Sequence, residues 1–141
     1  MLKKFLTIVF CFLNFFPSFS AFKINIESGG FWFCLETSSD TAMLFSVSNN
    51  FNDENIKIPE YVDDGCNIKY NIVVISESAF DNILDKIVSV DLPKYLIKND
   101  NNVSVINKLL LNNIEVTQGN AKINHVYDFK AYPTPGKLGW G

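Results

Sequence analysis

Between Ile75 and Pro93 the chain reads ISESAFDNILDKIVSVDLP, and the order of residue types in this stretch restricts the architectures open to the whole chain. Ser76, Glu77 and Ser78 present polar groups to solvent, Ala79 is small enough for a tight inner corner, and Phe80 is a large apolar plug that needs a neighbouring layer. From Val88 onward the apolar positions Val88, Val90 and Leu92 alternate with Ser89 and Asp91, which is the period of a half-buried strand. Pro93 removes a ladder N–H and suits the end of that strand. Turn, plug and strand in this order describe one turn of a solenoid, with Ile75, Ala79, Phe80, Ile87, Val88, Val90 and Leu92 as its core. Such a turn buries its apolar face only against neighbours, and about three are needed for stability.

The residues around this stretch are predominantly β-forming. Phe22, Ile24 and Ile26 alternate with polar residues, and Ser28-Gly29-Gly30 separates them from Phe31-Trp32-Phe33-Cys34-Leu35, which is a hairpin pattern. Thr41–Val47, the short Ile56-Lys57-Ile58-Pro59 and the alternating run from Ile68 into Ile75 supply further strands, joined by polar loops at residues 49–55 and 63–65. Beyond Pro93 the pattern loosens. The apolar spacing in Val103–Val116 partly fits a helical face, but its β-branched residues and Asn112-Asn113 favour a degenerate repeat. The expected organisation is an N-terminal β cap over 22–72, a repeat-like region over 73–130 that is degenerate after 97, and a flexible tail over 131–141 with few apolar anchors.

Residues 1–21 carry the features of a secretory signal. Lys3 and Lys4 precede an apolar run from Phe5 to Phe16, and Pro17 followed by Ser18-Phe19-Ser20-Ala21 supplies a breaker and small residues for cleavage. The run is shorter than the roughly 18–20 residues that span a bilayer, so cleavage after Ser20 or Ala21 and export are expected. The whole chain has net charge −3 from twelve lysines and fifteen acids, with no arginine. Loss of residues 1–20 removes Lys3 and Lys4 and no acid, leaving ten lysines against fifteen acids, a net −5. An acidic chain without Arg forks is a poor phosphate-tracking surface, which argues against nucleic-acid binding.

Taken together, Thr41–Val47, Ile56–Val62, Lys69–Ile75, the Ser76–Phe80 turn and the strand Val88–Pro93 resemble, in order, the N-terminal cap and first repeat of BspA-like leucine-rich-repeat proteins. Repeats in that family run to roughly 23 residues, within the leucine-rich-repeat range. The resemblance covers residues 41–96 well and 22–40 loosely. The family's repeat cysteine is replaced by Ile83, and the segment from Ile83 to Ile87 is one residue longer than the family pattern. The resemblance implies a mainly β fold, an N-terminal β cap followed by a short, incomplete leucine-rich-repeat solenoid. It also implies surface adhesion to a host matrix or cell-surface protein, with Asp85, Ser89 and Asp91 as an exposed row beside the repeat strand.

Candidate chemistry is sparse. Cys34 and Cys66 remain after signal removal, and in a secreted chain they suggest either a disulfide tying the hairpin to the turn near Gly65 or two buried thiols. His125 is the only histidine, and no GxSxG, HExxH, CxxC or phosphate-loop pattern occurs, so His125 is expected at the surface and no catalytic, cofactor-binding or metal residue is assigned. Asp53-Glu54 and Asp63-Asp64 lack the ligand spacing of a calcium loop and are expected to be solvated turns. Asn102-Val103-Ser104 is an N-glycosylation acceptor pattern. Alternation through Phe31-Trp32-Phe33 sends these rings to opposite faces, and core packing or burial under a neighbouring layer is favoured over a side left available to a partner. These features predict a secreted or cell-surface, non-enzymatic binding module that uses no cofactor, nucleic acid or small-molecule substrate. Attachment to a membrane would require a missing anchor or a partner. The alternative is a capping fragment of a longer repeat protein with no independent activity.

Overall fold

The computed structural model describes residues 23–134. The expected signal segment, 1–21, lies outside the described residues, as does the tail beyond 134. The fold is mainly β, with a sheet curled into a half-barrel and one helix among the described residues.

The first sheet begins with the hairpin read from the sequence, β1 (Lys23–Ser28) and β2 (Phe31–Glu36). Gly29 and Gly30 have φ +62° and +90°, the left-handed pair of a two-residue turn whose twist matches the strands it joins. A side chain at Gly30 would also meet the Phe51 ring, 2.8 Å from the added carbon. β3 (Thr41–Val47) adds antiparallel to β2. β6 (Lys69–Ile75) lies parallel to β3, and β5 (Tyr61–Asp63) pairs antiparallel with β6, giving the order β1-β2-β3-β6-β5. Alternation in β2 buries Phe31, Phe33 and Leu35 and turns Trp32 outward, 40% exposed, against the Phe45 ring.

The second sheet is a parallel ladder. β4 (Asn55–Lys57), β7 (Ser89–Leu92) and β8 (Glu115–Gln118) stack with Ile56, Val90 and Val116 in one row, and β9 (Ala121–Ile123) returns antiparallel on β8. Those three residues and Ile123 are 2% exposed or less, so one face of the ladder is core. Successive rungs are offset by 34 residues from Ile56 to Val90 and by 26 from Val90 to Val116. Both offsets exceed the roughly 23 residues of the family that the sequence resembles. β4 precedes β5 and β6 in sequence yet belongs to the second sheet, so the two sheets interleave and share one hydrophobic core.

The turn from Ser76 to Ile87 closes with short-range backbone bonds, among them Ala79 N to Ser76 O and Ile83 N to Phe80 O. Ala79 is 1% exposed, and its carbonyl accepts from Val47 N at 3.1 Å; the inner corner touches the backbone of β3, where a larger side chain would be in the way. Phe80 and Ile83 are each 1% exposed and belong to the one hydrophobic core that residues of both sheets share.

Two expectations change. The segment read as a degenerate repeat begins with an α-helix, α1 (Asp100–Leu111). Asn99 caps it by accepting from Asn102 N, and Asn102, Val105, Ile106 and Leu109 form its buried stripe, the spacing of a helical face. The β-branched residues weigh less than this cap and stripe, because tertiary burial overrides modest propensity differences. Val88, expected in the core, is 55% exposed, while Ile87 is buried at 6%. Val88 N and Ser89 N both donate to Glu54 O, at 2.7 and 3.2 Å. Two residues thus oppose one, as in a β-bulge, and the alternation slips by one position at the extra residue of this segment.

Candidate functional site

Asn102, expected as an exposed glycan acceptor, is fully buried. Its Nδ2 donates to Val73 O at 2.9 Å and Ile97 O at 2.7 Å, and its Oδ1 accepts from Ile75 N at 2.7 Å. β5 pairs with β6 only as far as Asn71, so beyond that point this edge of β6 needs another partner. The Asn102 amide, with one acceptor and two donors, supplies what a neighbouring strand would supply. Its role is structural, and a glycan on Nδ2 would be incompatible with these contacts. Gln118, 9% exposed, acts similarly at the end of β8: its Oε1 accepts from Lys130 N at 2.8 Å and its Nε2 donates to Lys130 O at 2.9 Å.

The other predicted positions separate in space. Cys34 is a free, half-buried cysteine on the outer face of β2, so the suggested Cys34–Cys66 bridge is not formed. Cys66 lies in the turn between β5 and β6, and β3 stands between β2 and β6. Asp63 is exposed and its Oδ1 accepts from Gly65 N, but Asp64, also expected in solvent, is fully buried and its Oδ1 accepts from Cys66 N at 2.7 Å. The buried carboxylate shapes the turn; among the described residues no group of three or more His, Cys, Asp or Glu is placed to hold a metal ion. His125 is exposed, its ring 6.2 Å from that of Tyr127. Of the expected outward row, Asp85 is exposed while Ser89 and Asp91 are half-buried on the outer face of the ladder.

That outer face is polar by register. Asn55, Ser89 and Glu115 form one row, and Ser89 Oγ donates to Asn55 Oδ1 at 2.7 Å. Lys57, Asp91, Thr117 and Lys122 form the next, in which Thr117 Oγ1 donates to Asp91 Oδ1 at 2.7 Å. The second row opens into a groove of about 820 Å³ across the carboxyl ends of β4, β7 and β8, within the size range of ligand sites. Lys94 and Lys130 reach it from the segments after β7 and β9, Tyr61 from β5 and Tyr132 from the chain after Lys130. Apart from Asp91, the sequence did not point to these residues. They come from four separate stretches of chain, and only the ladder and the Gln118–Lys130 pairing bring them together.

No helix among the described residues is long and apolar enough to cross a membrane. No protein-family model, curated protein or solved structure matches the chain.

Proposed function

We propose that this chain is a secreted or cell-surface, non-enzymatic binding module of leucine-rich-repeat type, related to the BspA-like proteins that its sequence resembles. The observation that carries the reading is the in-register parallel ladder Ile56–Val90–Val116, with one face sealed in the core and the other a continuous polar surface ending in a groove. Strands stacked this way place side chains from distant parts of the chain in rows, which suits an extended recognition surface. The partner is a matrix or cell-surface component, and the residues that contact it lie along Asp91 and its row. The antiparallel β9 favours this module over a bare capping fragment, because it occupies the edge of β8 where a further parallel rung would stack.

The test is saturable binding of the chain from residue 22 onward to immobilised extracellular-matrix preparations and to intact cells. Lys57→Glu with Lys122→Glu, at two exposed positions in the Asp91 row, is expected to weaken binding at least about tenfold while the protein still unfolds cooperatively. A cooperatively folded chain without saturable binding to either surface refutes the adhesion reading. Export is checked separately by N-terminal sequencing of the protein recovered from culture medium, which is expected to begin at Ala21 or Phe22.

A further inference from the structure

The groove has a charge character unlike that of the chain as a whole. The protein has net charge −3, yet Lys57, Lys94, Lys122 and Lys130 all line this one concavity. Three carboxylates share it, Glu60, Asp91 and Asp128, and two of them are already engaged. Asp91 accepts from Thr117 Oγ1, and Asp128 Oδ2 accepts from Asn124 N and His125 N at 3.2 and 2.9 Å. Lys122 sits 4.0 Å from Glu115, whereas Lys57, Lys94 and Lys130 have no ion pair among the described residues. Four lysines against three carboxylates leave the groove with a charge of +1 in a chain of net charge −3, and the lysines without an ion pair come from separate segments, so the local field favours a negatively charged ligand.

The remaining lining limits what that ligand can be. Ile58, Leu92 and Ile123 are 2–3% exposed and so contribute a nearly closed floor. The large apolar groups it does present are the rings of Tyr61 and Tyr132, 44% and 40% exposed, with Lys94 Nζ 5.5 Å from the Tyr132 ring centroid. A protein partner held at an energetic centre wants a desolvated pocket for an aromatic or aliphatic anchor. Flat tyrosine faces beside lysines and the exposed Asn120 instead suit a ring that is apolar on its C–H face, polar at its edge and negatively charged. From these observations we infer that the groove binds an acidic oligosaccharide, one bearing carboxylate or sulfate groups. Lys57, Lys94 and Lys130 meet the anions and Tyr61 and Tyr132 pack against the sugar rings. This deepens the binding-module reading and rests on it, since it names the chemistry that one part of the ladder's outer surface takes.

The experiment is a titration of the chain from residue 22, by calorimetry and by NMR, with four probes. A hyaluronan hexasaccharide carries carboxylates only, a chondroitin sulfate hexasaccharide carries carboxylates and sulfates, chitohexaose is neutral, and hexaglutamate is an acidic peptide. Saturable binding of the two acidic sugars is expected, weakening with added salt, with chitohexaose at least tenfold weaker. Tighter binding of the sulfated sugar assigns the anion as sulfate, and equal binding of the two assigns carboxylate. The double substitution Lys94→Glu with Lys130→Glu, at exposed positions, is expected to lower acidic-sugar affinity at least tenfold without moving the urea midpoint. Tyr61→Ala with Tyr132→Ala is expected to weaken sugar but not hexaglutamate. Hexaglutamate binding as tightly as the sugars, or no saturable binding of either sugar, overturns the inference. So does a lysine double variant that binds as the parent does. If matrix or cell binding persists while the acidic sugars fail, this inference falls and the broader reading stands; loss of both on a folded chain removes both.

Discussion

Replacing Asn102 with Ala tests how the open edge of β6 is completed. The substitution removes three hydrogen bonds, to Val73 O, Ile97 O and Ile75 N. Val73 O keeps its bond from Ile97 N at 3.0 Å, so its loss is partial. Ile75 N–H is left buried with no acceptor, a penalty of about 1–3 kcal/mol, and the two carbonyl contacts add roughly 0.5–1.5 kcal/mol each. Against this, Ala is the better helix former by about 0.7 kcal/mol. The expected net loss is about 2–4 kcal/mol, and with a urea slope of roughly 1–3 kcal/mol/M the midpoint falls by about 0.7 M or more. Equilibrium urea unfolding followed by circular dichroism measures this, and amide exchange should show Ile75 N–H losing protection. Asn102→Asp separates hydrogen bonding from volume, since it keeps the acceptor for Ile75 N but turns a second acceptor toward two carbonyls. A buried, unpaired carboxylate has its folded pKa raised above the unfolded value of about 3.9. The defect relative to the parent is therefore present in full above that raised folded pKa and shrinks as pH falls through it. Ser104→Ala destroys the glycosylation pattern but leaves these bonds, and is expected to stay within about 0.5 kcal/mol of the parent. A parental midpoint for Asn102→Ala, with Ile75 N–H still protected, would refute the strand-substitute role.

Three other perturbations bear on separate parts of the fold. Phe80→Ala empties the site of a fully buried ring and should cost about 3–5 kcal/mol; an unchanged thermal midpoint would mean that Phe80 is not part of the shared core. Val88→Ser and Val90→Ser differ by two residues in sequence and by a bulge in structure. The first is expected within about 0.5 kcal/mol of the parent, the second to destabilise by at least about 2 kcal/mol, and equal effects by urea unfolding would argue against the register slip at Glu54. Gly30→Ala combines φ +90° with an approach of 2.8 Å to Phe51 and is expected to cost about 1–3 kcal/mol. Near-UV circular dichroism reporting the Phe31–Phe51 ring pair is expected to change with it, and a fully parental spectrum and stability would show that Phe51 and the turn adjust freely.

Much of the β framework was legible because it depends on local alternation and turn chemistry. Gly29-Gly30 between two alternating runs specified the β1–β2 hairpin, and Thr41–Val47 is the extent of β3. Ala79 and Phe80 are buried as the corner and plug that their sizes suggested. The helix was misread because its evidence lay in Asn99 and in a polar member of the buried stripe, Asn102, which a count of apolar residues passes over. Val88 failed for a related reason. Period-two alternation carries no record of a bulge, and the extra residue before the strand moved Val88 to solvent while Ile87 turned in.

By itself, the sequence determined where the chain alternates, where it turns, and that an aromatic plug had to find a layer to fill. These are contacts between residues a few positions apart, set by pleat geometry and side-chain volume. Only the tertiary structure decided that strands 34 and 26 residues apart would stack in one register, that buried amides at Asn102 and Gln118 would take the place of missing strand neighbours, and that Lys57, Lys94, Lys122 and Lys130 would converge on one groove. Burial and hydrogen-bond completion are properties of the folded chain. An asparagine in an acceptor pattern and an asparagine closing a sheet edge are the same letters until the partners at Val73, Ile75 and Ile97 are brought to it.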